Sequence, residues 1–324
     1  MKSLLLIIDP QYDFINGSLP VKNADECMYK LSKFIINNED SIDDIIVTLD
    51  SHQPGHISFK SSWITRTWED EPEISKITPE MIGNSVKPRF SHLNAEDIKE
   101  YIERIPGKSL DLWPSHCVIG TEGHSIYEPL VGAMNIWSFQ KSKSWEVLLK
   151  GNRFDREMYS AIVCDGEENF GLGFAPLINS PMLSEYDVIY IAGIAKDFCV
   201  AATVKDLIDL YGDDVKNKLI FIEDCLPTII DGNESLKVYD DAIKNYGALT
   251  FNFENKEITK PNPNYADKEA EDYVLVPWPE SQSYMEEPGF DQNAYSVNED
   301  GEYELFMIQK DWKKFIDEKR KNKK

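Results

Sequence analysis

Positive charge is in short supply in this chain. Against 57 aspartates and glutamates stand 34 lysines and arginines, a formal net charge of -23 over 324 residues. That balance argues against a polyanionic partner such as nucleic acid or an anionic membrane surface. Cysteine is also sparse. The five present, Cys27, Cys117, Cys164, Cys199 and Cys225, show no paired spacing, which argues against a disulfide framework and for a reducing compartment. No apolar run approaches the roughly 20 residues needed to span a bilayer. The N-terminal Lys2-Ser-Leu-Leu-Leu-Ile-Ile-Asp9 is too short for the apolar part of a signal peptide and is closed by an acid. It reads instead as a buried strand. No internal repeat is visible. A cytoplasmic protein with no nucleic-acid or membrane partner is expected, with homo-oligomerisation left open.

Short apolar runs recur at Leu4–Ile8, Ile45–Leu49, Trp145–Leu149, Val188–Ala192, Leu219–Ile222 and Leu249–Phe253. Amphipathic helical patterns lie between several of them, at Ala24–Ile36, Ser125–Phe139, Val200–Tyr211 and Leu236–Tyr246. This alternation predicts a Rossmann-like, three-layer α/β/α fold around a mostly parallel sheet of about six strands. Such sheets bind ligands at the C-terminal ends of their strands. That rule selects Asp9, Asp50, Lys150 and the turn from Gly193 to Cys199 as a convergent set.

Cys199 opens the pattern in which Val200, Val204, Leu207 and Ile208 share a helix face. Its thiol is thereby expected in a first helical turn, where free N–H groups favour a thiolate and can bind an oxyanion. Asp9 follows a fully apolar strand. It suits either a cap of the Pro10–Phe14 turn or a buried proton carrier for Cys199. Lys150, at another strand end, would favour the thiolate if the three met. In Asp50-Ser-His-Gln-Pro-Gly-His56 an extended backbone points Asp50 and His52 the same way. With His116 from Trp113-Pro-Ser-His-Cys117 as a third ligand, this set suits Zn, Mn or Fe. His92 and His124 read as surface residues. Cys117 is expected to pack inward.

Taken in order, the motifs resemble the isochorismatase-like cysteine hydrolases, in the nicotinamidase/pyrazinamidase branch. They are Asp-x-Gln-x-Asp-Phe, Asp-Ser-His-x-Pro-Gly-His, Trp-Pro-x-His-Cys-Val-x-Gly-Thr-x-Gly, Lys-Gly with a later Tyr-Ser-Ala, and Gly-x-Ala-x-Asp-x-Cys-Val. The resemblance implies a catalytic triad of Asp9, Lys150 and Cys199 and an oxyanion hole from the N–H groups of Ala195 and Cys199. It implies a cis peptide between Ile194 and Ala195, and Phe14, Trp113 and Tyr159 around the substrate ring. It further implies one divalent metal, zinc first and Mn or Fe otherwise, on Asp50, His52 and His116, with His56 as a further ligand or a supporting group. The implied reaction is hydrolysis of nicotinamide to nicotinate and ammonia, as in NAD salvage.

The motifs span about residues 1–253, read as one cysteine hydrolase domain. Residues 57–112 read as an insertion, mostly polar and aromatic, with one helix at Ala95–Ile105 capped by Asn94. It is expected to form a lid or a pocket wall. Residues 254–324 form a C-terminal extension rich in proline and acid, packed on or beside the core, with a final helix at about Tyr303–Glu318 before a basic end. Two alternatives remain at this stage: a cysteine hydrolase for another small amide, and a non-catalytic binding protein on the same fold.

Overall fold

A computed structural model of the chain describes residues 2–65, 74–166 and 183–253, and the backbone of three short strands beyond them. The first apolar run forms β1 (Ser3–Ile8), all six residues buried. It leads through the single-turn α1 (Tyr12–Ile15) and α2 (Ala24–Asn37) to β2 (Asp44–Asp50). Four short strands follow, β3 (Trp63–Thr65), β4 (Lys76–Ile77), β5 (Val86–Pro88) and β6 (Leu110–Asp111), with α3 (Ala95–Arg104) before the last. The alternation then resumes with α4 (Glu128–Lys141), β7 (Glu146–Lys150), β8 (Val188–Gly193), α5 (Ala201–Tyr211), β9 (Leu219–Ile222), α6 (Lys237–Tyr246) and β10 (Leu249–Phe251).

Six of these strands form one sheet in the order β10-β9-β8-β1-β2-β7, every pair parallel. The predicted three-layer architecture is the one observed. Side chains alternate along a strand, so β1 feeds two cores. Leu5 and Ile7 face Met28, Leu31 and Phe34 of α2 and Leu130 and Met134 of α4. Leu4, Leu6 and Ile8 face Val204 and Leu207 of α5 and Tyr239 of α6. From β1 the chain first builds outward through β2 and β7, then returns to the other side of β1 as β8. That reversal leaves a crevice at the carboxyl ends of β1 and β8. The registers Ile8↔Gly193 and Asp50↔Lys150 bring the four predicted strand ends level.

Residues 57–112 are less polar in effect than their composition suggests. Ile57, Trp63, Ile77, Ile82, Ile98, Tyr101, Ile102 and Leu110 form a third apolar cluster, around two antiparallel pairs, β3 with β5 and β4 with β6. Trp63 Nε1 donates to the Ile57 carbonyl (2.8 Å), so its polar edge is satisfied inside that cluster. Asn94 caps α3 as predicted, its side chain accepting from the N–H groups of Glu96 and Asp97.

Beyond residue 253, β11 (Val274–Val276), β12 (Tyr295–Val297) and β13 (Tyr303–Met307) form a small antiparallel sheet in the order β11-β13-β12. The final helix expected from Tyr303 therefore begins as a strand. Pairing to β12 in a hairpin and to the more distant β11 overrides a local pattern that fits either period. The remainder of that predicted helix, and the basic end, lie outside the described residues. No helix among the described residues is long and apolar enough to cross a membrane.

Candidate active site

Lys150, the last residue of β7, is fully buried against the expectation for a strand-end lysine, with only 1% of its surface exposed. Its ammonium lies 2.8 Å from Asp9 Oδ2, 3.2 Å from Asp50 Oδ1 and 3.5 Å from Cys199 Sγ, and donates to the Met158 carbonyl at 3.1 Å. Burial alone would discharge it, but Asp50 and Asp9 outweigh that and hold its pKa well above the usual lysine value. The ammonium is charged.

Asp9 adopts the left-handed backbone (φ 48°) just past β1 and is wholly buried. Its carboxylate does not cap the Pro10–Phe14 turn. Oδ1 accepts from Thr48 Oγ1 (2.6 Å), and Oδ2 faces Lys150. Burial raises its pKa against the pull of Lys150, with Asp50 adding to the rise. This is the direction a proton carrier requires.

Gly193 ends β8 with φ 131°, and a side chain there would overlap the Ile8 backbone. The close approach needs glycine. After a cis Ile194–Ala195 peptide the chain enters a π-helical turn, Lys196–Val200, that runs straight into α5. Cys199 thus sits in the first helical turn, as expected, although that turn is π-helical and leads into α5. Its carbonyl accepts from Thr203 Oγ1 (2.7 Å), and Thr203 Oγ1 in turn accepts from the Ala161 N–H. The expected thiolate is corrected. Burial, with Asp9 and Asp50 beside it, raises the Cys199 pKa well above the usual value despite Lys150.

The second half of the site shares Asp50. Its Oδ2 lies 3.0 Å from His52 Nε2 and 3.5 Å from His116 Nε2, and one ligand atom from each of the three falls within 4.8 Å of the others. The other ring nitrogens face backbone carbonyls: His52 Nδ1 that of Gly151 (3.2 Å), His116 Nδ1 that of Pro114 (2.8 Å). With each Nδ1 engaged by a carbonyl, Nε2 is the ring atom that each histidine turns toward Asp50 Oδ2. Burial opposes the charge on Asp50, yet His52 and Lys150 hold its carboxyl well below the usual range. One carboxylate and two imidazoles converging in this way fit a divalent ion. A side chain at Gly151 would come within 2.7 Å of Asp50 Oδ1, which accounts for the glycine after Lys150.

His56 takes no part in this convergence. Its Nδ1 pairs with Ser58 Oγ and its Nε2 with the Arg156 carbonyl, both at 2.8 Å, leaving no lone pair free. It stacks behind His52, ring centroids 4.1 Å apart. Phe59 closes the same side, 5.2 Å from the His52 ring and 5.5 Å from that of His116.

The three predicted ring-flanking residues fall into two places. Phe14 packs on His116 at 5.4 Å. Half-buried Trp113 donates from Nε1 to Tyr159 Oη (2.9 Å), and both rings lean on Phe198, at 5.2 and 5.6 Å. Phe198, next to the thiol, was not singled out by sequence; adjacency to Cys199 was its one signal. Gln11 and Asp13 were missed too. Gln11 pairs with the backbone of Asp50, and Asp13 Oδ2 accepts from the Cys117 N–H (2.7 Å), fixing the turn after His116. A side chain at Gly123 would overlap the Asp13 carboxylate. His124 is corrected from surface to half-buried, because Ser51 Oγ holds its Nε2 (2.8 Å) and Gln11 holds its carbonyl. His92 is exposed and Cys117 buried, as expected.

No protein-family profile matches the chain. It is 27% identical over 201 residues to a nicotinamidase of Saccharomyces cerevisiae, covering 61% of this chain and 78% of that one. A nicotinamidase of Acinetobacter baylyi matches at 27% identity over 206 residues, covering 62% and 72%. Among solved structures, the yeast nicotinamidase bound to the inhibitor nicotinaldehyde superposes with a TM-score of 0.52 at 22% identity, over 77% of this chain and 99% of that one.

Proposed function

From the premise that the chain belongs to the nicotinamidase branch of the isochorismatase-like hydrolases, we propose that it hydrolyses nicotinamide to nicotinate and ammonia. That it is a hydrolase acting on amides follows from the same kinship. The observation that carries the finer reading is the position of Lys150, within 2.8 Å of Asp9 and 3.5 Å of Cys199 while also touching Asp50.

The Cys199 thiol passes its proton to Asp9 as Sγ attacks the carboxamide carbon. The N–H groups of Ala195 and Cys199 donate to the oxyanion that develops. Asp9 returns the proton to the departing nitrogen, which leaves as ammonia, and Cys199 retains the acyl group as a thioester. Asp9, again a carboxylate, takes a proton from water as the water attacks the thioester. Nicotinate leaves, and Cys199 recovers its proton. Lys150 stays charged throughout and balances Asp9 each time it is ionised. Phe14 on one side and Trp113, Tyr159 and Phe198 on the other would sandwich the ring. A divalent ion, zinc in first place with Mn or Fe as options, would be held by Asp50, His52 and His116 and supply a Lewis-acid anchor for the pyridine nitrogen.

A second reading, another small amide on the same machinery, is favoured by one feature: residues 57–112 separate His52 from His116 and carry their own apolar cluster. Ammonia release measured across nicotinamide, pyrazinamide and aliphatic carboxamides decides between the two. Preference for an aliphatic amide overturns the nicotinamide reading.

A further inference from the structure

Residues 151–166 run on from Lys150, and three separate elements hold them. At the near end, the Ile57 N–H donates to the Phe154 carbonyl (2.8 Å) and His56 Nε2 holds the Arg156 carbonyl (2.8 Å). At the far end, the Ala161 N–H donates to Thr203 Oγ1, which is tied to the Cys199 carbonyl. Between these, the Glu157 N–H donates to Tyr101 Oη at 2.9 Å. Tyr101 belongs to α3, inside the 57–112 cluster, and is completely buried. Its ring also carries the Arg156 guanidinium at 4.7 Å, and a side chain added at Gly166 (φ 74°) would crowd Ile105 of the same cluster at 2.8 Å before touching the Tyr101 ring at 3.4 Å.

Three consecutive residues therefore have three distinct attachments. Glu157 is held by Tyr101 and Met158 holds Lys150 Nζ. Tyr159 Oη accepts from Trp113 Nε1. An ammonium group has three N–H bonds. With two directed at Asp9 and Asp50, the third lies between the Met158 carbonyl and Cys199 Sγ. The placement of Met158 thus decides how much of that third bond reaches the thiol. Met158 is the backbone partner of Lys150 among the described residues, and its position depends on the residue before it, which Tyr101 holds.

We propose that the 57–112 insertion acts as a buttress for the active site, with Tyr101 a positioning residue that sets Lys150 against Cys199 through Glu157 and Met158. This rests on the reading of Lys150 and Cys199 as amidase machinery, and it replaces the expectation of a lid with a support placed behind the site.

The test is Tyr101→Phe in the full chain, which removes the hydroxyl and leaves the ring. Two rates are read: kcat for ammonia release from nicotinamide, and alkylation of Cys199 by iodoacetamide relative to half-buried Cys27. We expect kcat to fall about tenfold with KM changed less than about twofold, since small misplacements of a reacting group are costly. Alkylation of Cys199 should change by about threefold or more, with Cys27 unaffected. Ile98→Val, which trims the same apolar cluster without touching these hydrogen bonds, should lower the melting temperature and leave both rates as in the wild type. If Tyr101→Phe does not fold, Gly166→Ala, which presses on Ile105 and the Tyr101 ring from the loop side, should alter both rates. The proposal is overturned if Tyr101→Phe (or Gly166→Ala in its place) matches the wild type in Cys199 alkylation, or if Ile98→Val alters both rates as much. Wild-type protein that releases no ammonia from nicotinamide, but whose Cys199 alkylation still depends on Tyr101, would overturn the substrate reading and leave the buttress standing.

Discussion

The side-chain amide of Gln11 pairs with the backbone of Asp50 as a neighbouring strand would. Nε2 donates to the Asp50 carbonyl and Oε1 accepts from its N–H, both at 2.8 Å, while Nε2 also reaches the His124 carbonyl. The residue that faces both Lys150 and the two histidines is thus held by its main chain, leaving its carboxylate free for chemistry. Gln11→Ala should weaken zinc binding by about 10- to 100-fold, the usual effect of losing a group that orients a ligand. Competition with a chromogenic chelator measures this. Unchanged affinity would show that β2 alone fixes Asp50.

Cys199→Ala should remove amide hydrolysis by a factor on the order of 10^4 or more, because it deletes the thiol that Lys150 Nζ reaches at 3.5 Å and that would carry the acyl group. Trapping makes the complementary measurement. In wild-type protein quenched during turnover, mass spectrometry should find the nicotinoyl group on Cys199. An acyl adduct on another cysteine would displace it as nucleophile.

Purified protein should take up one zinc ion per chain, and His116→Ala should fail to retain it. At a zinc concentration about 100 times Kd, the bound ion adds roughly 2.7 kcal/mol to the stability of the fold. The melting temperature should rise accordingly in the wild type and stay level in His116→Ala. An equal rise in both would place the ion elsewhere.

Asp165 offers a test with a defined sign. Burial, with Glu157 nearby, pushes its pKa from 3.8 up to about 8. Between those values the fold keeps a proton that the unfolded chain has released. The stability this group contributes is full below the lower value and is lost as pH rises through the upper one. Asp165→Asn has no charge to acquire. Between about pH 5 and about pH 8 its stability should improve on that of the wild type by at least about 1 kcal/mol. Urea midpoints at the two pH values measure the change, and a constant difference would show that Asp165 is ionised throughout.

The central sheet was readable because its strands are short apolar runs, buried throughout in β1 and β9 and in all but the first residue of β2 and β8, and their boundaries are marked by the residues that stop them. Asp9, Asp50 and Lys150 stood out as polar residues at those stops, so strand logic located them before any family likeness. What escaped notice depends on contacts between distant segments. The insertion's core draws on Ile57, Trp63, Ile77 and Leu110, spread over short strands with no periodicity to read. Gln11 and Asp13 act through backbone groups far along the chain, which no local pattern records. Tyr303–Met307 pairs with β12 just before it and with the remote β11, and its alternation is too brief to exclude a helix. The elevated pKa of Cys199 comes from burial and two carboxylates, neither of which a helix start discloses.

The two oxygens of Asp50 look in different directions, one to Lys150 and the other to the histidine pair. A substitution there severs both halves at once, so an inactive Asp50 variant cannot say which half had failed. His116 touches only one side. Experiments meant to separate ion binding from nucleophile chemistry should therefore begin at His116, and any design that gives this fold a different metal must first supply Lys150 with another counter-ion.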